Sequence, residues 1–307
     1  MQELLYQGAV MLVLIGLGML CAKIGLLTEK STKELSTLLL QIVNPVLILL
    51  SYQKEYKPEY LKNLLFAVLI SALTFAASMI IGLVFFRKRE GREAEIERFS
   101  VMYSNCAFMG IPLINALYGA EGVFYLTAYL TVFNLLVWSH GVILMSGERS
   151  FRSVVKVFYS TTMIAIYIGL ITFFGRITLP VFVTDCLGYI GSLNTPLAML
   201  VAGGTVYRSD ILKALKNIRV YLVTAVKLLL VPLAAILICL PFGIDKTVLL
   251  TIIVAASAPS ATMCTLFSIR YDRNTAYASE IFALTTVLSV VTMPLMVKVY
   301  DLLSGLI

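Results

Sequence analysis

The sequence predicts an all-α integral membrane protein, with a single transmembrane domain over 1–307 that contains about ten helices. Three observations lead to this fold class. Hydrophobic residues make up 60% of the 307 residues, charged residues only 13%, and the mean hydropathy is +0.93. Apolar runs long enough to cross a bilayer follow one another with short connections. Two of these runs, at the same ordinal position in each half, are interrupted by glycine or proline.

The apolar runs define the predicted spans. Each run ends at charged residues or at a Pro/Gly-marked break, and a helix needs roughly 20 apolar residues to cross the hydrocarbon core. The predicted spans are 4–25, 35–52, 63–86, 99–118, 122–146, 153–174, 181–206, 220–242, 247–269 and 276–299. The connections are too short for a nucleotide-binding domain and the GxxxxGK[ST] phosphate loop is absent, so primary pumping within this chain is poorly supported.

The distribution of lysine and arginine predicts the orientation. With the N-terminus outside, most basic residues fall on the cytoplasmic side, as the positive-inside rule requires. These are Lys23, Lys30, Lys33, Arg87, Lys88, Arg89, Arg92, Arg98, Arg149, Arg152, Lys156, Arg208, Lys213, Lys216, Arg219, Arg270 and Arg273. We therefore expect a multi-pass protein of the plasma or inner membrane with both termini extracytoplasmic. The net charge of +7 then reflects topology, and no nucleic-acid partner is expected.

The two halves of the sequence, with five predicted spans each, indicate an internal duplication. Five spans per half is an odd number, so the second copy must insert upside down, which is the arrangement that builds alternating-access transporters. The predicted inverted repeats are 1–147 and 148–307. Asn44-Pro45 in the second span resembles Asn194-Thr195-Pro196 in the seventh, at the same position of its half.

The fourth and ninth spans are the predicted broken helices. The fourth contains Ser104-Asn105-Cys106-Ala107-Phe108-Met109-Gly110-Ile111-Pro112 and the ninth Ala255-Ala256-Ser257-Ala258-Pro259-Ser260-Ala261-Thr262. Breaks in lipid survive where they line a protein cavity, and half-helix N-termini favour an anion. The alternative is that proline only kinks these helices, as expected at Pro232 and Pro294. The predicted substrate-binding residues are Asn105, Gly110, Pro112, Ser257, Pro259, Ser260, Thr262, Asn44, Asn194 and Asn134.

These segments resemble the auxin efflux carrier family, in its short prokaryotic form. The resemblance covers nearly the whole chain and rests on 105–113, 256–260, 269–273 and 284–295. It implies two inverted five-helix repeats whose fourth and ninth helices cross near the midplane, as in sodium/proton antiporters. It also implies a carboxylate substrate, which is auxin in plants and a dicarboxylate such as malate or malonate in bacterial relatives. The chain lacks the long central loop of plant members, so auxin itself is not carried over.

Two ionisable residues in the spans are candidates for coupling or charge compensation. Lys227 lies about two turns into the eighth span, where an unpaired charge costs at least roughly 2.5–3.5 kcal/mol. It either contacts the anionic substrate, replaces a coupling cation between the repeats, or snorkels to the cytoplasmic edge. Glu280, several residues into the tenth span, is expected to carry a proton, to pair with Lys227, or to lie at the interface.

The leading hypothesis is a secondary active transporter of small organic anions that works by alternating access. The alternative is a membrane sensor that binds a small organic acid without moving it. An enzyme is not expected, because the carboxylates are scattered and His140 is the single histidine. No cofactor or metal is expected, since the cysteines lack CxxC spacing. The expected partners are the anion and the lipid bilayer, while a coupling proton or sodium ion and a homodimer are left open.

Overall fold

A computed structural model describes residues 2–87, 93–147, 155, 158–209 and 214–305. Within these ranges the chain is helical and contains no strand. Several basic residues used to predict the orientation lie outside the described residues, namely Lys88, Arg89, Arg92, Arg149, Arg152, Lys156 and Lys213, as do positions 153, 154, 156 and 157 of the sixth predicted span.

The described part of the first half contains seven α-helices. They are α1 (Gln2–Lys23), α2 (Glu29–Leu38), α3 (Asn44–Ser51), α4 (Pro58–Phe85), α5 (Ala94–Met102), α6 (Ile111–Leu136) and α7 (Val142–Ser146). Single π-helical turns join some of them: Leu39–Val43 lies between α2 and α3, Cys106–Gly110 leads into α6, and Val137–Gly141 lies between α6 and α7.

The described part of the second half contains eight α-helices. They are α8 (Thr161–Phe174), α9 (Val181–Ser192), α10 (Asn194–Arg208), α11 (Ile218–Ala225), α12 (Val231–Cys239), α13 (Lys246–Ser257), α14 (Met263–Arg270) and α15 (Thr275–Ser304). The π-helical turn Val226–Leu230 joins α11 to α12.

The predicted membrane fold is confirmed. Seven continuous helical stretches of the described chain are long and apolar enough to cross a membrane, and Thr161–Phe174 and Lys246–Ser257 are shorter apolar helices. The 41-residue stretch Cys106–Ser146 contains the later part of the predicted span 99–118 and all of the predicted span 122–146, and Gly119 interrupts it between them with non-helical backbone (φ 57°, ψ −151°). Positive φ is open to glycine at little steric cost, so the predicted link at Gly119 forms there. The described segments therefore agree with about ten spans.

Several predicted boundaries differ from the structure, and the start of the second span is one of them. The second segment begins at Glu29, not at 35, because the Thr28 hydroxyl accepts a hydrogen bond from the Ser31 N–H and caps the helix. Its first turns are polar, so hydropathy alone starts the span too late.

Three prolines follow π-helical turns. Pro45, Pro112 and Pro232 each stand two residues after the end of such a turn, as the second residue of the next α-helix. Proline supplies no amide donor, and a locally widened turn accommodates the carbonyl that loses its partner. Proline in these spans therefore marks a change of helical pitch.

The helices pack as two groups. In the α1 group (α1–α3 and α8–α10), α1 packs on α10, and α3 packs on α8 and α9. In the crossover group (α4–α7 and α11–α15), α4 packs on α6 and α12, while α15 contacts α11, α13 and α14. The groups meet where α3 contacts α6 and where α1 and α10 contact α15.

The α1–α10 contact depends on glycine. A Cβ placed on Gly18 would lie 2.5 Å from the Leu200 carbonyl oxygen, and one on Gly203 would lie 2.1 Å from the Ile15 carbonyl oxygen. Small residues let helix backbones approach closely in a membrane, where packing is the main source of helix association. The two helices are therefore held at backbone contact distance.

Gly18→Ala is expected to destabilise the protein by about 1–3 kcal/mol, because the new methyl group overlaps the backbone of α10. Gly16→Ala is the matched control on the same helix, since a Cβ there meets no atom within 4 Å. It is expected to leave stability unchanged or raise it by up to about 1 kcal/mol through helix propensity. Unfolding of the purified variants in detergent measures both, and equal effects at the two positions would contradict this packing.

Candidate functional site at the helix crossover

The two broken helices meet at their breaks. Tyr103–Asn105 separates α5 from the π turn before α6, and 258–262 separates α13 from α14. The Asn105 N–H donates to the Pro259 carbonyl oxygen (2.7 Å), and the Ala261 N–H donates to the Tyr103 carbonyl oxygen (2.9 Å). Ser104 and Ser260 face each other in a single antiparallel bridge. The backbone itself therefore ties the two interruptions together.

The break in the fourth segment lies before its proline. Pro112 is the second residue of α6 and Gly110 ends the preceding π turn, whereas the non-helical backbone is at Ser104 and Asn105. Pro112 has no N–H to donate, and the π turn before it accommodates the carbonyl group that loses its partner. The helix therefore continues through that position. Gly110 and Pro112 are buried in the half-helix beyond the break, and Pro259 stands in the other break.

Four half-helix ends converge here. The C-terminal ends of α5 and α13 bring carbonyl groups that have no intrahelical partner, and the starts of the π turn at Cys106 and of α14 bring N–H groups that have no partner within their helix. These ends carry partial charges of roughly −0.5 and +0.5. The crossover therefore offers a surface for an anion and a separate surface for a cation.

Three predicted residues place polar side chains at the crossing. Asn105 is 5% exposed, and its Oδ1 accepts a hydrogen bond from Thr262 Oγ1 (3.3 Å). The Ser260 N–H donates to Thr285 Oγ1 (3.2 Å), while the buried Ser260 Oγ has no partner among the described residues. Ser257 differs, because its hydroxyl donates to the Ile253 carbonyl oxygen of its own helix (2.7 Å).

Two predicted asparagines reach the crossover from the α1 group. Asn194 Nδ2 donates to Asn44 Oδ1 (2.7 Å), and Asn44 Nδ2 donates to the Ala107 carbonyl oxygen (3.4 Å). Both asparagines are buried. Asn134 is not part of this cluster, since its Nδ2 donates to the Leu130 carbonyl oxygen within α6 (2.8 Å). The asparagine pair is thus a polar junction between the two helix groups.

Lys227 belongs to the crossover, and Glu280 does not pair with it. Lys227 is fully buried, and its Nζ donates to Ser104 Oγ at 2.6 Å. Snorkelling to the cytoplasmic edge is therefore excluded. Glu280 is buried on α15 at 8% exposure, and the ion pairs of the described residues do not join it to Lys227.

Ser104 and Thr285 are the crossover residues that the predicted site omits. Ser104 accepts from Lys227, and its hydroxyl donates to the Ala256 carbonyl oxygen (3.2 Å). Its place directly before Asn105 in the interrupted segment is the signal that could have found it. Thr285 lies in 284–295, one of the segments that carry the family resemblance, but only the fold brings it beside the ninth segment.

A buried ion pair also lies in the crossover group. Arg219 contacts both carboxylate oxygens of Glu97, at 2.9 Å and 2.5 Å, and the Tyr277 hydroxyl donates to the same carboxylate (2.9 Å). Glu97 is 1% exposed. The three residues tie the first turns of α5, α11 and α15 together near the predicted cytoplasmic end.

A cavity of about 430 Å³ lies away from the crossover, between the α3–α4 and α8–α9 connections. It is lined by Gln53, Lys54, Glu55, Tyr56, Thr172, Arg176, Ile177 and Thr178. The Lys54 ammonium turns away into aromatic rings, with its Nζ 3.6 Å from the Tyr60 ring centroid and 4.1 Å from that of Phe124. Burial lowers the pKa of Lys54 to about 8, against opposing effects of Glu121 and Asp245.

Lys54 is expected to make stability rise with pH. Its pKa is about 8 in the folded protein and 10.5 as the reference value, so between these values the unfolded chain binds more protons. The free-energy cost of burying the ammonium destabilises the folded protein in full below pH 8, and this cost disappears as the pH rises to 10.5. The stability difference between Lys54→Met and the native chain should therefore change between pH 8 and 10, measured by thermal unfolding. The exposed Lys57→Met is the control, and a difference independent of pH would contradict the burial of this ammonium.

Comparison with known proteins finds a family and a relative that match most of this chain. The family described as membrane transport protein matches residues 7–162 and 153–297. A protein of Methanothermobacter thermautotrophicus named as an uncharacterized transporter is 26% identical over 291 residues, covering 92% of this chain and 94% of the relative.

Proposed function

Because the chain belongs to the membrane transport protein family, that of the auxin efflux carriers, and is a transporter, we propose that it carries small organic anions by secondary active transport. The observation that carries this proposal is the meeting of two broken helices at one polar crossover. Broken helices in corresponding segments are where such carriers bind substrate, with half-helix N-termini directed at the anionic group.

The chemistry of the crossover favours a carboxylate. N–H groups at the half-helix N-termini, the amide of Asn105 and the hydroxyls of Ser260 and Thr262 can donate to carboxylate oxygens. Lys227 adds a positive charge next to Ser104. Gly110, Pro112, Ser257 and Pro259 are proposed to shape the site, and dicarboxylates such as malate or malonate are the proposed substrate class.

Alternating access is proposed to move the α1 group relative to the crossover group, with the inverted repeats 1–147 and 148–307 supplying the two related conformations. Asn44 and Asn194 lie at the junction between these groups, so the hydrogen bond from Asn44 to Ala107 would change in each cycle. Glu280, buried in the crossover group and not paired with Lys227, is proposed as the proton carrier. The protein is proposed to lie in the cell membrane with both termini extracytoplasmic.

Uptake by proteoliposomes tests this function. Radiolabelled malate, malonate and indole-3-acetate are offered with and without an imposed proton gradient or membrane potential. Saturable uptake of one of the dicarboxylates that responds to a gradient is expected. If folded protein binds an acid and moves none under any gradient, the chain acts as a membrane sensor and the transport proposal is wrong.

A further inference from the structure

A wholly buried lysine stands between the two interrupted helices, and its contacts are unusual. Lys227 lies in the π turn between α11 and α12. Besides Ser104 Oγ at 2.6 Å, its Nζ donates at longer range to the Val101 carbonyl oxygen (3.4 Å) and the Ala256 carbonyl oxygen (3.5 Å). All three oxygens belong to the ends of α5 and α13 or to the adjoining break.

The breaks themselves release these two carbonyl groups. In continuous helices the Asn105 N–H would donate to Val101, and the Ser260 N–H would donate to Ala256. Here the Asn105 N–H donates to Pro259, and the Ser260 N–H donates to Thr285. The carbonyls released at both interruptions therefore converge on one ammonium group, and that of Ala256 also accepts from Ser104 Oγ.

The electrostatics of this position suit a cation. Two helix C-terminal ends point at it, each with a partial charge of roughly −0.5. Carbonyl oxygens at unwound helices and half-helix C-termini are the groups that hold coupling cations in carriers of broken-helix architecture. Among the described residues no carboxylate forms an ion pair with Lys227, so the helix ends are its electrostatic partners.

The geometry also decides between two roles for this lysine. An ammonium group has three N–H donors, and three protein oxygens surround it. Because Lys227 is also fully buried, its ammonium has no open face for direct contact with a substrate. Lys227 therefore acts on an anion through its charge and through Ser104, the neighbour of Asn105.

We propose that Lys227 is a tethered cation that fills the position where the two half-helix C-termini would otherwise hold a free one. Anion flux then needs no sodium or other alkali metal ion at the crossover. Truncation of the side chain would leave a site for a small primary ammonium ion, which has the same donors and charge. This inference rests on the proposed transport function for its flux arm, and its binding arm is independent of flux.

The binding arm uses purified Lys227→Ala in detergent. Methylammonium and ethylammonium are expected to raise its Tm by about 2–4 °C, as ligands that bind only the folded state do. Tetramethylammonium, which has no N–H donor, is the matched salt control. Lys227→Met is the matched variant, because its side chain occupies the space and should show no such shift. A shift of the same size in the native chain, or none in Lys227→Ala, would overturn the proposal.

The flux arm uses proteoliposomes. Uptake by the native chain is expected to be equal in sodium, potassium and choline buffers. The uptake rate of Lys227→Ala is expected to be at least about tenfold lower and to recover when methylammonium is added. Lys227→Met should stay inactive with or without amine. Sodium-dependent uptake by the native chain, or normal uptake by Lys227→Met, would contradict a tethered cation. Failure of the native chain to move any anion would count against the proposed function alone, since the Tm shift remains readable.

Discussion

Asn105→Ala is expected to lower kcat/KM for anion uptake by about 10- to 150-fold. Hydrogen bonds to charged groups contribute about 1.5–3 kcal/mol, and each 1.4 kcal/mol is a factor of ten. The Asn105 amide is buried in the break of the fourth segment, with its Oδ1 held by Thr262 and its Nδ2 left to donate. The backbone bond from Asn105 to Pro259 does not involve the side chain, so the crossover should keep its fold.

Asn134→Ala is the matched control for this prediction. Its amide donates to Leu130 within its own helix, outside the crossover cluster, so uptake should change less than about threefold. Initial rates in proteoliposomes, normalised to reconstituted protein, measure both variants. Equal losses in the two variants, or normal uptake by Asn105→Ala, would remove Asn105 from the substrate site.

Arg219→Ala is expected to cost about 3–5 kcal/mol of stability. Removal of one partner of a buried ion pair leaves an uncompensated charge, and Glu97 is only 1% exposed. The Arg219 side chain is 28% exposed, which places the expected loss near the lower end of that range. Tyr277 still donates to Glu97 but cannot neutralise it.

Lys246→Ala is the control for the ion-pair prediction. Lys246 lies 2.7 Å from Asp301, but both side chains are largely exposed (64% and 48%), so less than about 1 kcal/mol is expected. Denaturant or thermal unfolding in the same detergent compares the two variants. Combining Arg219→Ala with Glu97→Gln should recover part of the loss, because the stranded charge is then gone. A loss in Arg219→Ala no larger than in Lys246→Ala would show that Glu97 is solvated.

The sequence was sufficient to predict the segments and the place of the crossover. Apolar length locates the spans, since lipid leaves few alternatives to the helix. Pro259 stands in the interruption of the ninth span, whereas Gly110 and Pro112 follow the interruption of the fourth. Asn44 and Asn194 stand at matching positions that the fold brings into contact. These features are properties of the local amino-acid composition, which can be read from a single sequence.

Other parts of the site depend on long-range geometry. The break at Ser104 and Asn105 precedes Pro112 because a π turn absorbs the proline, which residue type alone does not reveal. The partners of Lys227 include backbone carbonyls, and these have no sequence signature. Likewise, Lys54 lies against the rings of Tyr60 in α4 and Phe124 in α6, and α6 is distant from Lys54 in sequence.

Counterflow distinguishes a carrier from other routes across the membrane, because only a carrier exchanges one anion for another through a single site. Proteoliposomes are loaded with unlabelled dicarboxylate, and entry of the labelled anion is followed without any ion gradient. With alternating access at the crossover, we expect entry of the labelled anion to saturate and to be accelerated by the internal anion. We expect this entry to be lost in Asn105→Ala and retained in Asn134→Ala. Entry that rises linearly with concentration and ignores the internal anion would contradict alternating access at the crossover.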